Sequence, residues 1–235
     1  MLTCEEKTYE RLKQLILTGK LPKGEFLPQR GLAQQVGATI VTLRSALRLL
    51  GNDGLIENVP KWGVRIPVDT IKSVTDRYYV RELLEVGAAE KLLGNPTEDM
   101  QAELIILAKE CDRMVPDSEE SYRDFAEKHI RLHLRMAELS GNQLLVQTLT
   151  RLNFRSMMLS NARNAWMIQL EYLQNAHHEN FIRDLFRLPH DEALQSVRDH
   201  VRRGLWMELA VLKRGEETSA ASGQDEILTL GRSTI

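Results

Sequence analysis

The stretch Thr39-Ile40-Val41-Thr42-Leu43-Arg44-Ser45-Ala46-Leu47-Arg48-Leu49-Leu50-Gly51-Asn52-Asp53-Gly54, continued by Leu55-Ile56-Glu57-Asn58-Val59-Pro60-Lys61-Trp62-Gly63-Val64-Arg65-Ile66-Pro67-Val68, decides the fold. Thr39 is a good N-cap, and Val41, Leu43, Ala46, Leu47 and Leu50 recur at the three- to four-residue steps of one helix face. Gly51 to Gly54 ends that helix. The period then changes. Val64, Ile66 and Val68 alternate with Arg65 and Pro67 after a turn at Val59 to Gly63, which reads as a β-hairpin. Working upstream, a short helix from about Arg30 to Val36 stops at Gly37, and Gly37-Ala38 is a link of helix-turn-helix length. Before it, Tyr9, Leu12, Ile16 and Leu17 mark a first helix ended by Gly19, with turn chemistry from Gly19 to Gly24. Three helices followed by a hairpin make residues 1–70 a winged helix-turn-helix.

A helix that enters the major groove must present donors from its N-terminal half. Thr39, Thr42 and Arg44 stand there, with Arg48 one turn further on. Arg30 opens the preceding helix. Lys61, Gly63 and Arg65 lie on the wing, where Gly63 permits the tight turn. Taken singly, each of these arginines could equally be a solvated surface residue; taken together in this order they predict a DNA-reading surface.

The order of Gly19-Lys20-Leu21-Pro22-Lys23-Gly24, Leu32-Ala33-Gln34-Gln35-Val36-Gly37, Leu43-Arg44-Ser45-Ala46-Leu47, Gly54-Leu55-Ile56 and Gly63-Val64-Arg65-Ile66 resembles the DNA-binding domain of the GntR family over residues 5–68. The resemblance implies that Arg30 and Arg44 contact operator bases or phosphates and that Gly63 approaches the minor groove. The chain departs from the family at Thr39-Ile40, where Ser-Arg is usual. That departure removes one expected guanine contact.

From Ile71 onward no strand pattern remains. Helical patterns run through about 71–94, 97–114, 119–139, 142–161, 164–188 and 191–212, broken at Gly94-Asn95-Pro96, Val115-Pro116-Asp117, Ser140-Gly141-Asn142 and Leu188-Pro189-His190. Long amphipathic helices with short links predict a helical bundle, so the fold class is mainly α. The expected organisation is a winged head at 1–70, a bundle at 71–214 and a loosely ordered polar tail at 215–235. Asn142 reads as an N-cap.

The chain has six histidines. His129 and His133 are four apart on one helix face and can chelate one ion. His178 and His200 stand eleven residues either side of Pro189. In an antiparallel hairpin that puts them at one height, ~16 Å from the turn at 1.5 Å rise per residue. Four histidines can therefore meet. His177 points about 100° from its neighbour on the helical wheel and His190 sits in the turn, so both are left out. An isolated His-x-x-x-His pair is a weak signal and is more often structural. Val80-Arg81-Glu82-Leu83-Leu84-Glu85-Val86-Gly87-Ala88-Ala89, Leu132-His133, Ala137 to Asn142 and the His178–His200 spacing resemble the FCD form of the FadR-like branch over about 71–212. The resemblance implies a metal in a central pocket, held by three histidines and an Asp or Asn. His129 stands where the carboxylate or amide is usual, which favours a borderline ion such as Zn²⁺ or Ni²⁺. It also implies that Arg81 faces an organic-acid effector; a salt bridge to Glu85, four residues on, is the alternative.

Bulk composition agrees with this division. Residues 1–70 carry ten Lys and Arg against seven Asp and Glu, and the remainder 21 against 26. A mildly basic head on an acidic body suits contact with DNA at one end. No run approaches the ~20 apolar residues of a membrane span. The polar N-terminus is not a signal peptide. The two cysteines, Cys4 and Cys111, make no disulfide framework and read as two partly buried thiols of a reducing compartment. The expectation is a cytoplasmic, homodimeric, ligand-responsive repressor or activator rather than an enzyme. The rivals are a metal-dependent hydrolase, which lacks any His-Glu-x-x-His, and a bundle tied by structural zinc.

Overall fold

The structure, a computed structural model, describes residues 3–59, 62–114, 118–152, 157–160, 162 and 177–230, with side chains omitted at 119 and 215–230. Helix α1 (Cys4–Leu17) is started by a capping box in which the Thr3 hydroxyl accepts from the Glu6 N–H and Glu6 accepts from the Thr3 N–H. Strand β1 (Phe26–Leu27), helix α2 (Gln29–Val36), helix α3 (Ile40–Asn52), β2 (Glu57–Val59) and β3 (Gly63–Arg65) complete the head. Gly37 takes φ 64°, the left-handed conformation that ends α2 and lets α3 start three residues later, at Ile40. Gly63 at φ 104° opens β3.

The three strands form an antiparallel sheet in the order β1-β3-β2, with Val64 opposite both Leu27 and Asn58. The hairpin was legible in the sequence, whereas β1 was not. Two residues carry no alternation, and Phe26 and Leu27 pair only because the turn from Gly19 to Gly24 returns the chain to β3. Leu12, Leu32, Leu43, Leu47, Leu50 and Val64 close the core of the head.

The bundle comprises α4 (Ile71–Leu93), α5 (Glu98–Asp112), α6 (Glu119–Leu139), α7 (Gln143–Arg151), α8 (His177–Arg187) and α9 (His190–Leu230). Capping boxes at Thr70–Ser73 and Ser118–Ser121 start α4 and α6, and Asn142 caps α7 as read from the sequence. Residues 153–156, 161 and 163–176 fall outside the described part, so the expected helices at 142–161 and 164–188 are described only where they overlap α7 and α8. Helix α9 corrects the expected end at about 212. Its backbone continues through the stretch read as a loose tail, where Glu216, Glu217, Ala220 and Ala221 are helix-compatible and no proline follows. Cys111 is buried, and burial pushes its thiol up to about 12; Cys4, expected partly buried, is exposed because it opens α1.

Helices α4 and α9 lie side by side. Tyr78 meets Glu208 and Glu82 meets Arg202, so rising numbers on one match falling numbers on the other and the pair is antiparallel. Glu208 is 4% exposed, and burial raises its carboxyl to about 7 despite the hydrogen bond from Tyr78. The folded chain therefore holds that proton up to about pH 7, whereas an unfolded glutamate loses it near pH 4.5. Stability present below pH 4.5 is lost as pH rises through 7, by on the order of 3 kcal/mol. Glu208→Gln should thus gain thermal stability over the parent as pH goes from 5 to 8. Melting curves at several pH values check this, and a pH-independent difference would contradict it.

Candidate metal centre and nucleic-acid interface

The histidine cluster sits between α6, α8 and α9. Successive turns of α6 bring His129 and His133 to one buried face, and α9 supplies His200. The Nε2 atoms of His133 and His129 are 2.8 Å apart, and those of His200 and His133 are 3.2 Å apart. These three histidines offer nitrogens that all lie within 4.8 Å of one another. The ring of His178 packs 4.7 Å from that of His129 and 5.5 Å from that of His200, centroid to centroid. All four histidines singled out in the sequence are thus brought together, with three nitrogens converging most closely.

Two carboxylates orient the rings. His133 Nδ1 lies 2.5 Å from Glu85 Oε2, and the other Glu85 oxygen accepts from Arg81 Nε at 2.5 Å. Glu85 and His133 are fully buried. Burial alone would raise the Glu85 carboxyl, but Arg81 and His133 outweigh it and hold it at about 2. An ionised Glu85 fixes the proton of His133 on Nδ1 and leaves its Nε2 lone pair facing the cluster. Asp112 does the same for His178. It lies 2.7 Å from His178 Nδ1 and accepts the backbone N–H groups of His178 and Glu179, which also caps α8. Burial opposes ionisation of Asp112, yet these hydrogen bonds keep its carboxyl below the usual range. Among the described residues, His129 Nδ1 and His178 Nε2 are buried without a hydrogen-bond partner.

Burial, reinforced by the neighbouring histidines, holds His129 and His200 well below the ordinary imidazole range. Burial also lowers His133, against the pull of Glu85. Neutral imidazoles whose ring nitrogens converge at this spacing are competent metal ligands. The donor set therefore fits a divalent ion.

Two sequence readings change here. His177 was left out on its helical direction, yet its ring stacks 5.6 Å from that of His200, and its nitrogen groups with Asp112 and His178. Its place on an idealised helical wheel did not show this contact with Asp112. His190 is exposed, as expected. Arg81 takes the ion-pair alternative: it is 2% exposed, bound to Glu85 and stacked 5.3 Å from the Tyr78 ring centroid. Glu85 was read only as the ion-pair partner of Arg81, and its place behind His133 was missed, as was Asp112. The i to i+4 spacing of Arg81 and Glu85 was the available signal for the first. Nothing in the sequence pointed Asp112 to a residue 66 positions away.

In the head, Arg30, Arg44 and Arg48 are exposed. Arg44 Nε donates to Gln29 Oε1 at 3.2 Å, which ties its guanidinium to the start of α2. The Thr39 hydroxyl accepts from the Thr42 N–H and lies 2.9 Å from the Thr42 hydroxyl, so Thr39 acts as a cap. On the wing, Arg65 pairs with Glu57 at 2.7 Å across β2 and β3 and lies over the Phe26 ring. Phe26 stacks on Trp62, which is 70% exposed; neither aromatic was singled out from the sequence. Lys61 lies outside the described residues.

The comparisons with known proteins fit this geometry. A family model for bacterial regulatory proteins of the gntR family matches residues 5–66, and the FCD domain model matches residues 76–203, more than half of the chain. The chain belongs to the gntR family, with FadR-like FCD architecture. A Bacillus subtilis protein described as an uncharacterized HTH-type transcriptional regulator, YdhC, is 29% identical over 148 residues; the match spans 62% of this chain and 64% of that one. Among solved structures, a GntR transcriptional regulator from Rhodococcus sp. RHA1 superimposes with TM-score 0.66 at 18% identity, over 88% of this chain and 97% of the other. E. coli McbR/YncC does so with TM-score 0.63 at 19% identity, over 92% and 100%. At these identities the structural matches establish the fold. The family matches are those of a transcription regulator, not of an enzyme. No helix among the described residues is long and apolar enough to cross a membrane.

Neutral buried histidines have a consequence for acid stability. Their folded pKa values lie below the unfolded value near 6.5, so their contribution is complete above that pH and is lost as pH falls below it. Metal-free protein should therefore melt at progressively lower temperature between pH 7 and pH 5, more steeply than a His129→Asn, His200→Asn double variant. Parallel curves would contradict neutral burial.

Proposed function

We propose that this FCD-containing member of the gntR family is a ligand-responsive transcription regulator. In this reading the head binds operator DNA, and a divalent ion in the histidine cage helps sense a small carboxylate effector. The single observation that carries the sensing half is the convergence of the Nε2 atoms of His129, His133 and His200, with Glu85 behind His133. His129, His133, His178 and His200 would hold the ion, with Zn²⁺ or Ni²⁺ favoured by an all-imidazole set. When bound, it supplies a positive centre that a carboxylate can approach. Arg81 stands one layer behind His133 and contributes orientation through Glu85.

Arg30, Thr42, Arg44 and Arg48 form the reading surface on α2 and α3. Lys61, Gly63 and Arg65 place the wing against the backbone or minor groove. An operator of two half-sites calls for a dimer. Tyr79 on α4 and Trp206 on α9 are exposed, and in this reading a second copy packs over them.

Arg30→Ala and Arg44→Ala should each weaken operator binding by about 1–3 kcal/mol, roughly 5- to 150-fold. His133→Ala should abolish tightly held metal and leave operator binding at the level of the metal-free parent. Gel shifts on a duplex selected with the full chain, run beside elemental analysis, check both. Unchanged DNA affinity in the arginine variants would overturn the reading surface. Full metal retention in His133→Ala would overturn the cage.

A further inference from the structure

A line of buried contacts runs from the cage to the seam between bundle and head. His133 Nδ1 meets Glu85, Glu85 holds Arg81, and the Arg81 guanidinium lies 5.3 Å from the centre of the Tyr78 ring. The Tyr78 hydroxyl donates to Glu208 Oε1 at 3.1 Å. His133, Glu85, Arg81, Tyr78 and Glu208 are all 4% exposed or less. Glu208 then borders a cavity of about 110 Å³ at the seam between bundle and head, faced from the head by Ile16, Leu55 and Ile66.

The seam has its own ion pairs. Arg77 on α4 donates to Asp69 in the linker after the wing, and Lys23 from the turn before β1 lies 3.8 Å from the same carboxylate. The charged and titratable groups around Glu208 are thus Tyr78, Arg77 and Arg81 from α4 and Asp69 from the linker. Linker and α4 are continuous with β3, so a displacement of α4 relative to α9 is passed to the wing.

Helix α9 carries both ends of this arrangement. His200 and Glu208 are eight residues apart, about 12 Å along the axis at 1.5 Å per residue. A change in the spacing of His200 and His133 shifts α9 against α6, and through the His133–Glu85 contact against α4. The far contact between α9 and α4 is Tyr78–Glu208, which is either made or broken. Buried polar pairs suit such a role, because an unmade bond in a dry seam is costly and the two arrangements are discrete.

We infer that the line His133–Glu85–Arg81–Tyr78–Glu208 couples the state of the cage to the reading head, with Tyr78 and Glu208 as the positioning pair at the seam and a divalent metal ion as the ligand whose binding they report. This rests on the metal reading of the cage. The essential element is the hydrogen bond from the Tyr78 hydroxyl, not the charge of Glu208. A ligand shifts a two-state equilibrium only by its differential affinity, so the quantity to measure is the ratio of DNA affinities with and without the ion.

The test uses the full chain, a duplex enriched by selection on it, and Zn²⁺ as the probe. Parent, Tyr78→Phe, Glu208→Leu and Glu208→Gln are compared by fluorescence anisotropy with and without Zn²⁺, with Zn²⁺ stoichiometry measured in parallel. The parent ratio should differ from one by about fivefold or more. Tyr78→Phe and Glu208→Leu should bind Zn²⁺ at the parent stoichiometry with the ratio collapsed to near one, while Glu208→Gln, which keeps the acceptor, retains the parent ratio. Tyr78→Phe removes one hydroxyl and preserves the ring on Arg81, so it decides the matter if Glu208→Leu fails to fold. A parent ratio retained in Tyr78→Phe, or lost equally in Glu208→Gln, would overturn the inference and leave the cage reading standing. A parent that binds no Zn²⁺ would overturn both, and one that binds Zn²⁺ without any change in DNA affinity would overturn the inference and the sensing reading while leaving the metal cage.

Discussion

The arrangement of the bundle depends on one buried carboxylate. Glu85 is fully enclosed, and it is kept ionised because Arg81 covers one oxygen and His133 the other. Charges removed from water in this way are tolerated only when every partner is in place, and loss of one partner leaves an uncompensated charge in the interior. The triad therefore constrains α4 and α6 to a single register. That register sets the tautomer of His133, and the tautomer decides which way its lone pair faces. A cluster of imidazoles without such an anchor would satisfy itself by pairing N–H to N and would have no preferred direction.

Asp112 repeats the device with different means. Its carboxylate caps α8 through two backbone N–H groups and turns the His178 ring with the same oxygens. Cap and orientation are thus one interaction, so the start of α8 cannot drift without turning the ring. The head uses a lighter version, in which Gln29 at the start of α2 holds the exposed Arg44 side chain from α3. In each case a helix terminus or a neighbouring helix positions a functional group that its own backbone would leave free.

Much of this was legible in the chain itself. The period change after Gly54 gave the wing, the Gly37-Ala38 link gave the turn, and the symmetric placement of His178 and His200 about Pro189 gave their common height. These are local or symmetric signals. The parts that escaped are set by contacts distant in sequence. Phe26 and Leu27 become a strand only when β3 is beside them. Asp112 reaches α8 across 66 residues. His177 groups with Asp112 and stacks on His200, contacts that its place on an idealised wheel does not reveal. Arg81 could be read either as a pocket residue or as an ion pair, and burial decided for the pair.

The account stands on the proton of His133 being fixed by Glu85. Long-range ¹H–¹⁵N NMR spectra of the histidine side chains in the metal-free full chain measure this directly. His133 should show a protonated Nδ1 and a bare Nε2 that stays bare from pH 8 to pH 6, with only the Nε2 resonance moving strongly on addition of Zn²⁺. An Nε2-protonated His133, or one titrating as a free imidazole near pH 6.5, would contradict the account.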